Sequence, residues 1–485
     1  GTPTYNDGNS LSIGGFATLQ GGLDADSFNV SSPSSFNLNG GAGGDVFDVD
    51  AALTGAIDGE GGGDTLEGDA IEDVVLSGSD ADGFSGTEGD VSGGFDGITS
   101  LAGDGSGTLT GRAVPSSWSL DTVSSYNDGN ALSIGGFQTY RGGAGEDSFV
   151  VHSNLPFDVE GGDGDDIVSV AVAGDNLTLD LGAGHDSSTI LDIDAGASIS
   201  VDLGPAGTGS GDDVLSVGSV GGGTPNTQEI TFTTQDANGF NGLVLLDTAT
   251  ISFLGTTPIN AGTAVDTILN LPVAVPNPDA TLQDSLVAGA LEITGSTFEN
   301  TTFSVPSNSL TVNLGNLGDA VTVNSFFDSG FNADLSLIQG AGVDSLTIGG
   351  PLDINTGTLL VTIETTTIDT TSVSAAVLDF DDAVEINQNS VLSGTTSIDF
   401  AATLDSTAGN TNDLTLNSPS TAVHGVVGSI DALGTLNTDP AGTTTVDATS
   451  VTAAVLDFDD VVELDVDTTL TGTTSIDFAA TLDST

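Results

Sequence analysis

The chain repeats itself at two offsets, and that constrains its fold more than anything else in it. Tyr5–Phe28 returns as Tyr126–Phe149, at an offset of 121, with 17 of 24 positions identical. Ser372–Thr407 returns as Ser450–Thr485, at an offset of 78, with 27 of 36 identical. Four units in 78 give about 19.5 each, and six in 121 give about 20.2. Phe16, Phe95 and Phe137, each after Gly-Gly, are spaced by 79 and 42, near four and two such units. A unit of about 20 residues cannot bury a core by itself, but a stack of units shares one. The expected unit is one coil of a solenoid.

Local patterning makes the coil β. Leu177, Leu179 and Leu181 alternate in NLTLDL, and IVSVAV (167–172) and LTVNL (310–314) have the same period of two. β-Branched residues dominate these runs, and Gly, Asn or Asp clusters end them. No segment keeps a helical apolar period over three turns. The expected fold is all-β: a single elongated parallel β-helix (β-solenoid) of about 19–20 residues per coil and roughly 25 coils. Three segments are expected along it. Residues 1–225 are Gly/Asp-rich, 226–371 are Thr/Val/Leu-rich, and 372–485 hold the 78-residue repeat. Pro272, Pro276 and Pro278 mark a loop near 271–279. Trp118 is expected in the core, and Asn6-Asp7-Gly8 and Asn127-Asp128-Gly129 read as turns. The chain starts at Gly1 without an initiator Met, and Thr485 aligns with Thr407, where the first copy continues. A longer solenoid is expected.

Composition then removes partners. Against 69 Asp plus Glu stand only Arg112 and Arg141, for a formal net charge of −67. Phosphate neutralisation needs Lys and Arg, so nucleic acid is excluded as a partner, as is an anionic membrane surface. No apolar stretch is long enough to span a membrane. With no Cys, disulfides and thiolate metal sites are impossible. His152, His185 and His424 are too scattered for a zinc cluster.

The turns carry the chemistry. Gly-Gly-x-Gly-x-Asp is complete at Gly40–Asp45, Gly142–Asp147 and Gly161–Asp166, and imperfect at Gly21–Asp26, Gly59–Asp64 and Leu181–Asp186. Thr208–Asp213, Leu314–Asp319 and Gln339–Asp344 are weaker relatives. The final aspartates fall at 26, 45 and 64, then at 147, 166 and 186, one coil apart each time. They should share one corner, with neighbours roughly 5 Å apart. Like charges at that distance repel by about 0.8 kcal/mol even in water. A hard cation that accepts carboxylate and carbonyl oxygens relieves the repulsion, and Ca²⁺ is such a cation.

These turns, each followed by an alternating strand, resemble the repeats-in-toxin calcium-binding β-roll. The resemblance implies that turn carbonyls and the final Asp of stacked loops hold Ca²⁺. It points to Asp26, Asp45, Asp64, Asp147, Asp166 and Asp186. The accompanying glycines are Gly40, Gly41 and Gly43, Gly142, Gly143 and Gly145, and Gly161, Gly162 and Gly164. Two departures stand out. That family has two such turns per coil, where this chain has one. Asp24, Glu60 and Leu181 replace motif glycines, which implies weakened sites there. Residues 366–485 instead resemble repeats of filamentous-haemagglutinin-like giant surface proteins, which are also exported parallel β-helices.

The expected function is non-enzymatic: an extracellular or cell-surface structural or adhesive solenoid, stiffened by calcium at about 10⁻⁴ to 10⁻³ M. Its expected partners are divalent cations and further copies, joined end to end or side by side into fibres. One alternative is a β-helical polysaccharide enzyme using the pairs Asp381/Asp382 or Asp459/Asp460. Another is an acidic mineral- or ice-interacting surface built on runs such as Thr365–Thr367 and Thr443–Thr445.

Overall fold

A computed structural model describes residues 4–6, 10–12, 15–152, 157–174, 176–205, 213–235, 239–256, 258–326 and 330–484. Every regular element in it is a strand. The chain divides into two compact units. Unit 1 is Gly1–Gly222 with Ala237–Gly239 and Ala249–Thr256; unit 2 is Gly223–Asp236, Phe240–Thr248 and Thr257–Thr485.

Each unit is a largely parallel β-solenoid, as expected. In unit 1, Leu19 pairs with Leu38 and Leu38 with Ile57 on one side of the coil. On a second side Phe28, Phe47 and Leu66 pair in turn. A third side is marked only by single bridges, Ser34 to Leu53 and Leu53 to Val91. Alternation works as the period of two requires: in Leu177–Ala183, Leu177, Leu179 and Leu181 point inward and Thr178 and Asp180 outward. Each fully buried Leu, Ile or Phe contributes about 1.5–3 kcal/mol of hydrophobic stabilisation. Identical rings stack between coils, as in Phe28–Phe47 (5.1 Å) and Phe380–Phe400 (5.5 Å). Trp118 is buried, stacked on Phe149 at 5.3 Å with the edge of Tyr126 at 4.6 Å.

Two expectations are corrected. First, the coil keeps its 19- or 20-residue length only where nothing interrupts it. Leu66 pairs with Leu101, a step of 35, because the antiparallel hairpin Val74–Ser79/Phe84–Glu88 lies between them. Ser116–Leu120, Ser124–Asn127 and Ala131–Gly135 form an antiparallel meander turned by Asn127-Asp128-Gly129. In unit 2, Leu269 pairs with Val312, a step of 43, past the antiparallel strands Ala280–Asp284, Ala290–Thr294 and Thr301–Ser304. The chain therefore makes fewer coils than 25, and the offset of 121 is not six coils. Asp7 and Gly8 lie outside the described residues.

Second, the offset of 78 is not four coils. In unit 2, Leu392, Leu416, Thr438 and Phe458 pair successively on one side. Phe400, Val423, Val446 and Leu464 do so on the next. Leu404, Val427 and Val451 line the third. Val373 belongs to the side of Leu392, whereas its repeat partner Val451 belongs to the side of Leu404. The two copies are thus displaced by three coils and two sides. The Pro-rich stretch at 271–279 is irregular, and its Asn277 is buried.

Candidate cation-binding turns

The motif aspartates do fall on one corner, one per coil. They are not an open row of charges. In unit 1 the Asp26 amide donates to Asp45 Oδ1 (2.8 Å), and the Asp45 amide to Asp64 Oδ1 (2.8 Å). A second column starts at Ser116, whose amide (2.9 Å) and hydroxyl (2.5 Å) donate to Asp147 Oδ1. From there the amides of Asp147, Asp166 and Asp186 donate to Oδ1 of Asp166, Asp186 and Asp213 at 2.8, 2.8 and 2.9 Å. Each carboxylate reaches back one coil and satisfies the turn amide there. A buried amide left unpaired costs about 1–3 kcal/mol, so this ladder is structural in its own right.

The second oxygen is where the turns become chemically open. Asp45, Asp64, Asp166 and Asp186 are all fully buried, and Oδ2 of each has no hydrogen-bond partner. The first turn glycine makes room for it. A Cβ on Gly40 would stand 2.3 Å from Asp45 Oδ2 and 2.8 Å from the Gly59 carbonyl of the next coil. On Gly161 it would meet Asp166 Oδ2 and the Leu181 carbonyl, both at 2.4 Å; on Gly59, the Gly97 carbonyl at 2.4 Å and Asp64 Oδ2 at 2.7 Å. At these three turns a carboxylate oxygen and a carbonyl oxygen from adjacent coils share one spot. Gly142 holds Asp147 Oδ2 and the Gly161 carbonyl in the same way. The glycines at the fourth motif position, Gly43, Gly145 and Gly164, pass within 2.3–2.7 Å, Cβ to backbone, of the preceding coil and leave no space for a side chain.

Facing acceptors need a positive charge between them. Both arginines are committed elsewhere: Arg112 to Asp128 at 2.6 Å, and Arg141 to Glu160. Burial pushes the carboxyls of Asp166 and Asp186 up to about 7, and it raises those of Asp64 and Asp147 as well. At Asp64 and Asp166 the spot therefore takes either a proton or a cation. Its donors are all oxygens, one carboxylate and one carbonyl at each of three turns, which suits hard Ca²⁺. Among the described residues no three Asp, Glu or His side chains converge to hold a metal, so backbone carbonyls must complete any site. Outside the Gly59–Asp64 turn, Asp58, Glu60, Asp80, Asp82 and Asp96 line a hollow open to solvent.

Unit 2 contains a second such ladder, built on the weaker copies Leu314–Asp319 and Gln339–Asp344. Asn277 donates to Asp319 Oδ1 from its amide (2.6 Å) and from Nδ2 (2.9 Å). The Asp319 amide then donates to Asp344 Oδ1 (2.8 Å), and the Asp344 amide to Glu364 Oε2 (2.9 Å). The end groups Ser116, Asn277 and Glu364 belong to no glycine motif. The weak copy at 208–213 lies outside the described residues except for Asp213, which joins the unit 1 column by accepting the Asp186 amide.

The remaining candidates are placed apart from the ladders. Asp460 is buried between the hydroxyls of Thr438 (2.7 Å) and Thr444 (2.8 Å). Asp381 is exposed and Asp382 half-buried. Thr281, Thr322, Thr347 and Thr367 stack in register before Glu385 ends the column. His185 donates its amide to Asp165 (2.9 Å), and His424 lies 3.5 and 3.4 Å from Asp399 and Asp447. No helix in the described residues is long and apolar enough to cross a membrane. No family model and no curated protein matches the chain.

Proposed function

We propose that the chain is a non-enzymatic structural or adhesive solenoid of an extracellular or cell-surface fibre, stiffened by Ca²⁺ in the turns of unit 1. One observation carries this reading: buried carboxylate oxygens without a hydrogen-bond partner, set against carbonyls of the next coil. When bound, the cation supplies positive charge shared between two coils. The chain's own part is to present Asp Oδ2 and a carbonyl together, exclude water from them and hold Oδ1 on the neighbouring amide. Millimolar free calcium is an extracellular condition, which supports the compartment. The repeats duplicate core-forming strands and lend weight to a structural role.

Thermal melting followed by circular dichroism, in calcium and in chelator, tests the reading. A higher melting temperature in calcium is expected, and equal melting in both overturns it.

A further inference from the structure

Eight turns within the described residues bear a ladder aspartate, and they differ in whether the residue four positions earlier donates its amide to Oδ2. They fall into two sets. At Asp26, Asp147, Asp319 and Asp344 that amide does donate: Gly22 at 2.5 Å, Gly143 at 2.8 Å, Gly315 at 2.7 Å and Gly340 at 3.1 Å. At Asp45, Asp64, Asp166 and Asp186 the corresponding residue is left-handed: Gly41 (φ 104°), Glu60 (59°), Gly162 (114°) and Gly182 (87°). These are the four turns of the eight whose Oδ2 has no partner. None of Gly22, Gly143, Gly315 and Gly340 has a positive φ. The sign of φ decides which way the turn amide faces. In the Gly59–Asp64 turn the Glu60 amide donates to Asp58 Oδ1 (3.0 Å) instead of to Asp64.

We propose that, of these eight turns, calcium enters only the four with a left-handed second residue, those of Asp45, Asp64, Asp166 and Asp186, and that the other four stay metal-free. This rests on the calcium reading above and sharpens it. An N–H aimed at Oδ2 places its positive end where a cation would sit, so amide and cation exclude one another. The division cuts across the motif. Gly142–Asp147 matches Gly-Gly-x-Gly-x-Asp in full, yet it is closed by its own amide. Gly59–Asp64 and Leu181–Asp186 lack a motif glycine, yet both are open. Unit 2 has a ladder of the same hydrogen bonds and no open turn among the described residues.

The test is calorimetric titration of calcium into the whole chain at about 0.15 M salt, which screens the exposed carboxylates. Four sites with Kd of about 10⁻⁴ to 10⁻³ M are expected. Asp147→Asn and Asp344→Asn should keep all four, and Asp166→Asn should lose at least one. If Asp147→Asn loses a site, or if six or eight such sites appear in the unaltered chain, the φ rule is overturned while calcium binding stands. If no such site appears, calcium binding itself falls. Should Asp166→Asn fail to fold, the unaltered count and the Asp147→Asn count still decide.

Discussion

The ladder of unit 1 and the ladder of unit 2 use the same first hydrogen bond and differ at the second oxygen. Asp166 and Asp344 each accept the amide of the ladder aspartate one coil back. Asp344 Oδ2 then takes the amide of Gly340 in its own turn, while Asp166 Oδ2 takes none. A buried acidic column is thus first a way for a solenoid to satisfy its turn amides. On the proposal above, metal is an addition, open only where the turn amide has swung away.

The largest effect should separate the two units by calcium dependence. In millimolar calcium a site with Kd near 10⁻⁴ M is filled at about 10 times its Kd, which adds about 1.4 kcal/mol, so four sites should stabilise unit 1 by about 6 kcal/mol. In chelator, hydrogen exchange at the amides of Asp45, Asp147 and Asp166 should accelerate while that of Asp319 stays slow. Equal acceleration at both ladders breaks the comparison.

Next in size is Asp344→Ala. It strands the amides of Asp319 and Gly340 and should cost about 2–6 kcal/mol, equally with and without calcium. Asp166→Ala should cost more in calcium than in chelator, as denaturant melts in both buffers would show. A calcium-dependent loss at Asp344 would count against a closed unit 2.

pH sharpens the contrast further. Burial holds Asp166 and Asp186 at about 7, against an ordinary 3.8, so the folded state binds their protons more tightly than the unfolded chain does. Their contribution is fully present below about pH 4 and is lost as pH rises through 7. In chelator, unit 1 should therefore weaken from about pH 4 to about pH 7, and calcium should restore it at the upper end. Burial also raises Asp344, so unit 2 weakens in the same direction, but calcium should not restore it. The smallest effect is that of Glu60→Gly. It relieves a left-handed side chain at φ 59° and should stabilise unit 1 by about 1 kcal/mol in a chemical melt.

Much of this architecture is legible in the amino-acid sequence. The alternation in NLTLDL and the 19-residue steps from Asp26 to Asp64 place the strands and the acidic corner. The interruptions are not legible, because a hairpin strand such as Val74–Ser79 alternates like any coil strand. Nor is the difference between open and closed turns, since Gly143 and Gly162 are the same residue in opposite backbone conformations. Asn277 and Glu364 are invisible as ladder ends, because the neighbouring turn, not their own, gives them their role.

The sideways displacement of the 78-residue copies has a consequence for how such a chain grows. Period two tells a residue only whether it points in or out, so a duplicated segment fits any side of a three-sided coil. Val373 and Val451 are equally buried on different sides. Duplication of this kind lengthens the core while rotating the outer decoration. Any patch displayed by one copy faces a different direction in the next, so lengthening by this step adds span without aligning a repeated binding face.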